Sequence, residues 1–172
     1  LFPYTTLFRS SVPQFTGVAI GADLAARLAE HPNIAGMKDS SGNVDHVGTI
    51  LASVPPTFQL MTGASNTAYS SMQLGAKGAI LALADFLPEI CVSLYNAVAA
   101  QDSRASLELQ RRILRASNRI VGALGISGVK FAMDCRGYYG GPARRPLLPL
   151  GEAQQNEVKS LLSALEPAGA TA

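Results

Sequence analysis

The 172-residue sequence has no tryptophan, two cysteines, two histidines and only 15% charged residues. Each shortage excludes something. Two thiols, Cys91 and Cys135, build neither a disulfide framework nor a four-cysteine metal site, so a reducing, cytoplasmic home is the default. His31 and His46 have no ligand partners at metal spacing, and no zinc site is expected. No apolar run approaches the roughly 20 residues that span a bilayer, and no secretory leader is expected. A net charge of +2 is too small for a protein that tracks a phosphate backbone. Membrane and nucleic-acid partners are therefore not expected. What is present is 48% hydrophobic residues with no long low-complexity stretch, the composition of a globular chain rich in Ala, Gly and Leu.

The first ten residues, LFPYTTLFRS, look like the conceptual translation of a sequencing adapter and lack any helical period. They are set aside from the fold as an artefact, with the expectation that the gene continues upstream. Residues 11–21 (SVPQFTGVAIG) read as a loop punctuated by Pro13 and Gly17. A cycle then begins. Residues 22–30 carry Leu24 and Leu28 at helical spacing and stop at His31-Pro32-Asn33. Residues 34–38 (IAGMK) are a short apolar run of the kind that forms a strand buried on both faces. Residues 39–43 (DSSGN) form a turn that supplies N-cap side chains for a helix through Val44, Val47, Ile50 and Leu51. The same sequence of strand, turn and helix recurs from Phe58 to Leu74 and from Gly78 to about Ala100.

Three such units mean parallel βα architecture with a sheet covered on both faces. From Asp102 onward only helices are expected, over residues 103–121, 129–135 and 152–165, with a glycine-rich break at 122–128 and an irregular loop at 137–149. The arginines at 104, 111, 112, 115 and 119 read as the solvated face of the long helix, with Leu107, Ile113, Leu114 and Ile120 on its buried side. Cys91 and Cys135 fall within helical patterns and read as core residues.

In parallel βα folds, ligands meet the protein at the carboxyl ends of the strands. Lys38 ends the run Ile34-Ala35-Gly36-Met37, so its stem is expected to pass through apolar surroundings. Desolvation disfavours an ammonium, and a neutral amine can add to a ketone and form a Schiff base. The bland alternative is a lysine that snorkels to water at a strand end. Pattern alone leaves both open.

The segment around Lys38, GMKDSSGN, preceded by VPQFTG at residues 12–17, resembles the dihydrodipicolinate synthase/N-acetylneuraminate lyase family of class I aldolases. Further similarity lies in LGAKGAI (74–80), in Gly125, Val129-Lys130 and Ala132-Met133, and in GGP (140–142) with RPLLPL (145–150). In detail, MKDSSG and GYYGGP look closest to 4-hydroxy-2-oxoglutarate aldolases. The resemblance implies an α/β fold: the C-terminal part of a (β/α)8 TIM barrel, about three βα units over residues 11–101, followed by a helical C-terminal extension over 102–172. It implies Lys38 as the Schiff-base nucleophile, Ser40 as a hydroxyl that contacts substrate, and Gly63 and Ile80 as positions whose backbone lines a 2-oxo acid pocket. No metal or organic cofactor is implied. A homotetramer is the implied assembly of the full-length parent.

Departures from the family pattern narrow the substrate. Phe15 stands where dihydrodipicolinate synthases carry a carboxylate-gripping arginine, and Ser65 and Asn66 are neutral where sialate lyases carry acids. That leaves a 4-hydroxy-2-oxoglutarate-like substrate, split to pyruvate and glyoxylate, with dihydrodipicolinate synthase-type condensation as the alternative. Ser10 occupies the position of the family's proton-relay tyrosine, and the paired threonines that hold the substrate carboxylate lie upstream. A chain lacking both is expected to be inactive. A reading from another class is a non-catalytic helical interaction module on the same scaffold.

Overall fold

The computed structural model describes residues 7–165. The chain divides into two compact units, one ending at Leu81 and the other beginning at Ala82.

The first unit holds a four-stranded parallel sheet in sequence order: β1 (Leu7–Ser11), β2 (Ile34–Asp39), β3 (Gln59–Thr62) and β4 (Gly78–Ala79). Four helices fall between these strands: α1 (Pro13–Thr16), α2 (Ala22–Ala29), α3 (Val44–Ser53) and α4 (Ala68–Gln73). α2 carries Asp23 in its first turn and Arg27 in its last, which complements the helix dipole at both ends. α3 starts where Asn43 accepts from the His46 N–H at 3.0 Å, the cap expected of the DSSGN turn. Met37 and Leu60 from the sheet pack with Ala25, Val47, Ile50 and Phe58 into one core. Met37, Ile50 and Leu60 are fully buried, and each such side chain contributes roughly 1.5–3 kcal/mol.

Strand β1 corrects two expectations. The sequence pattern puts residues 7–10 outside the fold with the adapter-like segment and makes residues 11–21 a loop. Instead Leu7–Ser11 pairs in parallel with β2, opened by the Leu7 N–H donating to the Asn33 carbonyl at 2.8 Å. Pro13–Thr16 then forms a short helix closed by Gly17 at φ 71°. The ladder uses backbone groups alone, so side chains of atypical composition still join it. The rest of the adapter-like segment, residues 1–6, lies outside the described residues. β4 is shorter than the expected run 78–83, because Ala82–Asp85 already coils into a 3₁₀ turn.

The second unit contains α5 (Pro88–Ala99), α6 (Ser103–Ala116), a π-helical continuation over Ser117–Ala123, α7 (Gly125–Cys135) and α8 (Glu152–Ser163). The dividing point falls at Ala82 rather than near residue 101, because α5 packs on α6 and on the 82–85 turn. The expected break over 122–128 narrows to Leu124, where the π-helical segment ends and α7 begins with Gly125 at φ 58°. Gly128 is buried, and a Cβ there would stand 2.5 Å from the Leu124 Cβ and 2.6 Å from the Ile120 carbonyl oxygen. Gly128 thus serves for close packing, whereas Gly125 supplies the positive φ at the junction. The buried stripe of α6 also differs from expectation: Ser106, Gln110, Ile113 and Ala116 face inward, while Leu107 and Leu114 are each 39% exposed. Ser106 is tolerated inside because its hydroxyl donates to the Asp102 carbonyl at 2.7 Å. Among the described residues no helix is long and apolar enough to cross a membrane.

Candidate active site

The carboxyl edge of the sheet is aligned row by row. Ser10, Lys38 and Met61 occupy one row across β1, β2 and β3; Ser11, Asp39, Thr62 and Ala79 occupy the next. The ladder continues beyond the strands: the Ser40 N–H donates to Ser11 O at 2.9 Å, Gly63 to Asp39 O at 2.6 Å, and Ile80 to Thr62 O at 2.8 Å. All four expected site positions, Lys38, Ser40, Gly63 and Ile80, therefore reach the same edge.

Side-chain alternation divides the roles of β2. Met37 points into the core that α2 and α3 cover, so Lys38 projects from the opposite face. On that face the Phe8 ring crowds Gly36, where an added Cβ would lie 2.9 Å from Phe8 Cε1. Lys38 is half-buried. A Cβ added at Gly63 would stand 2.5 Å from Lys38 Cε and deep inside van der Waals contact with Ser40 Oγ. The lysine stem and the serine hydroxyl thus converge on one glycine α-carbon. Ile80 joins only through its backbone ladder bond, and its side chain is 47% exposed.

The turn after Lys38 is organised by a residue that the sequence reading had only as part of a cap. Asp39 is 1% exposed, and its Oδ2 accepts from the Ser41 hydroxyl at 2.5 Å and from the Ser41 N–H at 3.2 Å. Its Oδ1 has no hydrogen-bond partner among the described residues; the imidazole Nε2 of His46 stands 3.9 Å away. His46 Nε2 lies 3.1 Å from the Ile20 carbonyl and donates to it, which fixes the proton on that nitrogen. Gln14 reaches across from α1 and donates to the Ser40 carbonyl at 3.2 Å. The Asp-Ser-Ser-Gly spacing signals the turn, but the approach of His46 to Asp39 and the bond from Gln14 to the Ser40 carbonyl are long-range and leave no local sequence mark.

Neither thiol is part of this edge. Burial, helped by Glu89, pushes the Cys91 thiol up to about 11, which leaves it inert as a nucleophile. Cys135 is exposed and not the core residue expected, because it sits near the end of α7 on that helix's outer side. Among the described residues no three His, Cys, Asp or Glu side chains gather as metal ligands.

The sheet thus presents a half-buried lysine, a hydroxyl and a glycine together at its carboxyl edge, the edge at which βα barrels meet their ligands. The comparisons specify the family. A family model for the dihydrodipicolinate synthetase family matches residues 9–165, and the chain belongs to that family. It is 31% identical over 156 residues to a 4-hydroxy-tetrahydrodipicolinate synthase of Exiguobacterium sp., covering 91% of this chain and 52% of that protein. It is 33% identical over 162 residues to the synthase of that name from Dechloromonas aromatica, covering 94% and 54%. The crystal structure of chloride-inhibited dihydrodipicolinate synthase from Acinetobacter baumannii, complexed with pyruvate, superimposes with a TM-score of 0.86 at 30% identity, over 92% of this chain and 55% of that one. The chain spans about half the length of the relatives it matches. Its fold is the C-terminal part of the family's (β/α)8 barrel followed by helices. Four parallel strands are present where three were expected, since β1 joins the sheet.

Proposed function

We propose that this chain carries the Schiff-base half of a pyruvate-dependent carbon–carbon lyase or synthase, with Lys38 as its nucleophile. The convergence of Lys38 Cε and Ser40 Oγ on Gly63 carries this reading. The Lys38 amine adds to the C2 carbonyl of pyruvate and expels water, leaving an iminium. Loss of a C3 proton gives an enamine, whose carbon attacks an acceptor carbonyl; hydrolysis then frees product and lysine. The reverse sequence cleaves a 4-hydroxy-2-oxo acid. The iminium is itself the electron sink, so the cycle needs neither metal nor organic cofactor. Gly63 contributes space: without a Cβ it lets the lysine stem and a small substrate approach the backbone. Ser40 supplies a hydroxyl within reach of the substrate, and the Ile80 backbone closes the pocket floor at β4.

The names of the relatives favour condensation of the dihydrodipicolinate synthase type over cleavage of 4-hydroxy-2-oxoglutarate. One observation favours the second reading. Phe15 occupies the place of the carboxylate-gripping arginine and is 79% exposed, so it offers no ion pair to a larger acceptor. A cytoplasmic location, resting on the scarcity of cysteine, and a homotetrameric parent, resting on the family resemblance, belong to the same proposal.

Borohydride reduction in the presence of pyruvate tests the nucleophile. A mass adduct on the peptide containing Lys38, absent from the Lys38→Ala variant, is the expected result. Failure to trap pyruvate on a folded chain would leave the non-catalytic helical module as the better account. Competition of the trapping by 4-hydroxy-2-oxoglutarate, but not by an aldehyde acceptor alone, separates the two substrate readings.

A further inference from the structure

Ser11, Asp39 and Thr62 share one row of the carboxyl edge, and all three are buried. Buried polar groups need partners, and here the partners lie in the loops that follow the strands. The Ser11 hydroxyl accepts from the Ile20 N–H at 3.3 Å, and the Thr62 hydroxyl from the Ala64 N–H at 3.3 Å. The Asp39 carboxylate accepts from the Ser41 N–H at 3.2 Å. The residues bracketed by the last two bonds are Gly63 and Ser40, which meet beside the Lys38 stem.

Asp39 holds both sides of that meeting point. Its carbonyl accepts from the Gly63 N–H at 2.6 Å. Its Oδ2 also accepts from the Ser41 hydroxyl at 2.5 Å, within the roughly 2.5–2.7 Å of a charge-assisted O–H···O bond. With its proton committed, the Ser41 oxygen accepts from the Asn43 N–H at 3.1 Å, and the Asn43 side chain caps α3. An unbroken chain of bonds thus runs from the strand end to the helix. Asp39 Oδ1 stays outside it, with no hydrogen-bond partner among the described residues, and a buried acceptor left so costs stability. A buried acid kept at that cost between Lys38 and Ser40 calls for a role beyond the turn itself.

We propose that Asp39 is a positioning residue for the reaction at Lys38. Through Ser41 it holds the Ser40 hydroxyl against Gly63, and it acts on pyruvate only through Ser40. This role rests on Lys38 being the nucleophile and adds, behind it, a residue that touches no substrate.

Borohydride trapping by the full chain, titrated over pyruvate concentration, tests it as a double-mutant cycle. Ser40→Ala and Asp39→Ala should each raise the pyruvate concentration for half-maximal trapping roughly tenfold, since small misplacements beside a reacting group are costly. The double variant should be no worse than either single one. Asp39→Asn keeps an oxygen for Ser41 and should trap like the parent. Should Asp39→Ala not fold, Ser41→Ala keeps the carboxylate, removes the hydroxyl it grips and carries the same cycle. A further loss when Asp39→Ala is added to Ser40→Ala would overturn the proposal, because Asp39 would then act independently of Ser40. So would unchanged trapping in Asp39→Ala, or an asparagine variant as impaired as the alanine one. The amide resonances of Ser40 and Gly63 need no ligand; both should shift in Asp39→Ala and stay in Asp39→Asn, and resonances that stay in both would also overturn it. With no trapping in the parent, the Lys38 assignment falls and this role with it, whereas trapping with an additive cycle removes the role alone.

Discussion

Gly63 is where the chemistry at Lys38 meets a steric requirement. Its missing Cβ is the space through which the lysine stem passes, with Ser40 on the other flank. Gly63→Ala should therefore displace Lys38, Ser40 or both. Overpacking of this kind costs about 1–3 kcal/mol. The expected outcome is a lowered urea midpoint and at least a tenfold loss of borohydride-trapped pyruvate at temperatures where the variant stays folded. Trapping at the parental level would show that the lysine reaches pyruvate by another path. The roles of Lys38, Ser40, Gly63 and Ile80 came from a family resemblance; the residues themselves left open whether Lys38 merely snorkels. What the structure adds is their shared edge, through consecutive ladder bonds. Asp39 was hidden, because a lone acid after a strand looks like any cap residue. Only burial and the 3.9 Å approach of His46 mark it out.

At the scale of elements, legibility followed periodicity. β2, α3, α5 and α8 lie within a few residues of where apolar spacing and breakers put them, since their patterns reflect burial on one face or two. β1 and the phase of α6 were not legible. A strand tied by backbone ladder alone leaves little in its side chains, and α6 buries Ser106 and Gln110 where a hydrophobicity pattern prefers Leu107 and Leu114. The π-helical segment after α6 is tied to α8 by Arg119, which donates to Glu157 at 2.7 and 3.0 Å. The hydrogen bond from Arg119, with the nearby guanidinium charges, holds the Glu157 carboxyl below its ordinary range. A depressed folded value stabilises the fold above the unfolded carboxylate value, and that contribution is lost as pH falls through the folded one. Glu157→Gln should thus lower the urea midpoint slightly at pH 7 and leave it unchanged at acid pH, where the parent glutamate is itself protonated. Because both partners reach solvent, 1 M salt should shrink the pH 7 difference. A difference that persists at acid pH would assign the effect to packing instead.

For the whole molecule, the question is whether trapping and turnover come apart. In the proposed reaction, forming the iminium needs only the Lys38 amine and the space that Gly63 leaves beside it. Turnover also needs a group that moves protons at the substrate. In register, the residue beside Lys38 on β1 is Ser10, the position where the family resemblance implies a tyrosine. A serine hydroxyl is too short to occupy a phenol's place, and its proton is far less acidic than the phenol's, whose pKa is about 10. A closed barrel of this type uses eight strands, whereas β1 and β4 here are each paired on one side among the described residues. The full 172-residue chain should therefore form the reducible pyruvate adduct yet show carbon–carbon bond turnover no higher than its Lys38→Ala variant. Exchange of the pyruvate methyl protons in D2O, followed by NMR, locates the block. Exchange should be slow in the parent chain and at least several-fold faster in Ser10→Tyr, because a phenol in the row of Lys38 brings a more acidic proton to the strand beside the proposed adduct. Fast exchange with Ser10 in place would mean that another group already relays the proton, and turnover clearly above the Lys38→Ala level would mean that four strands suffice for the reaction.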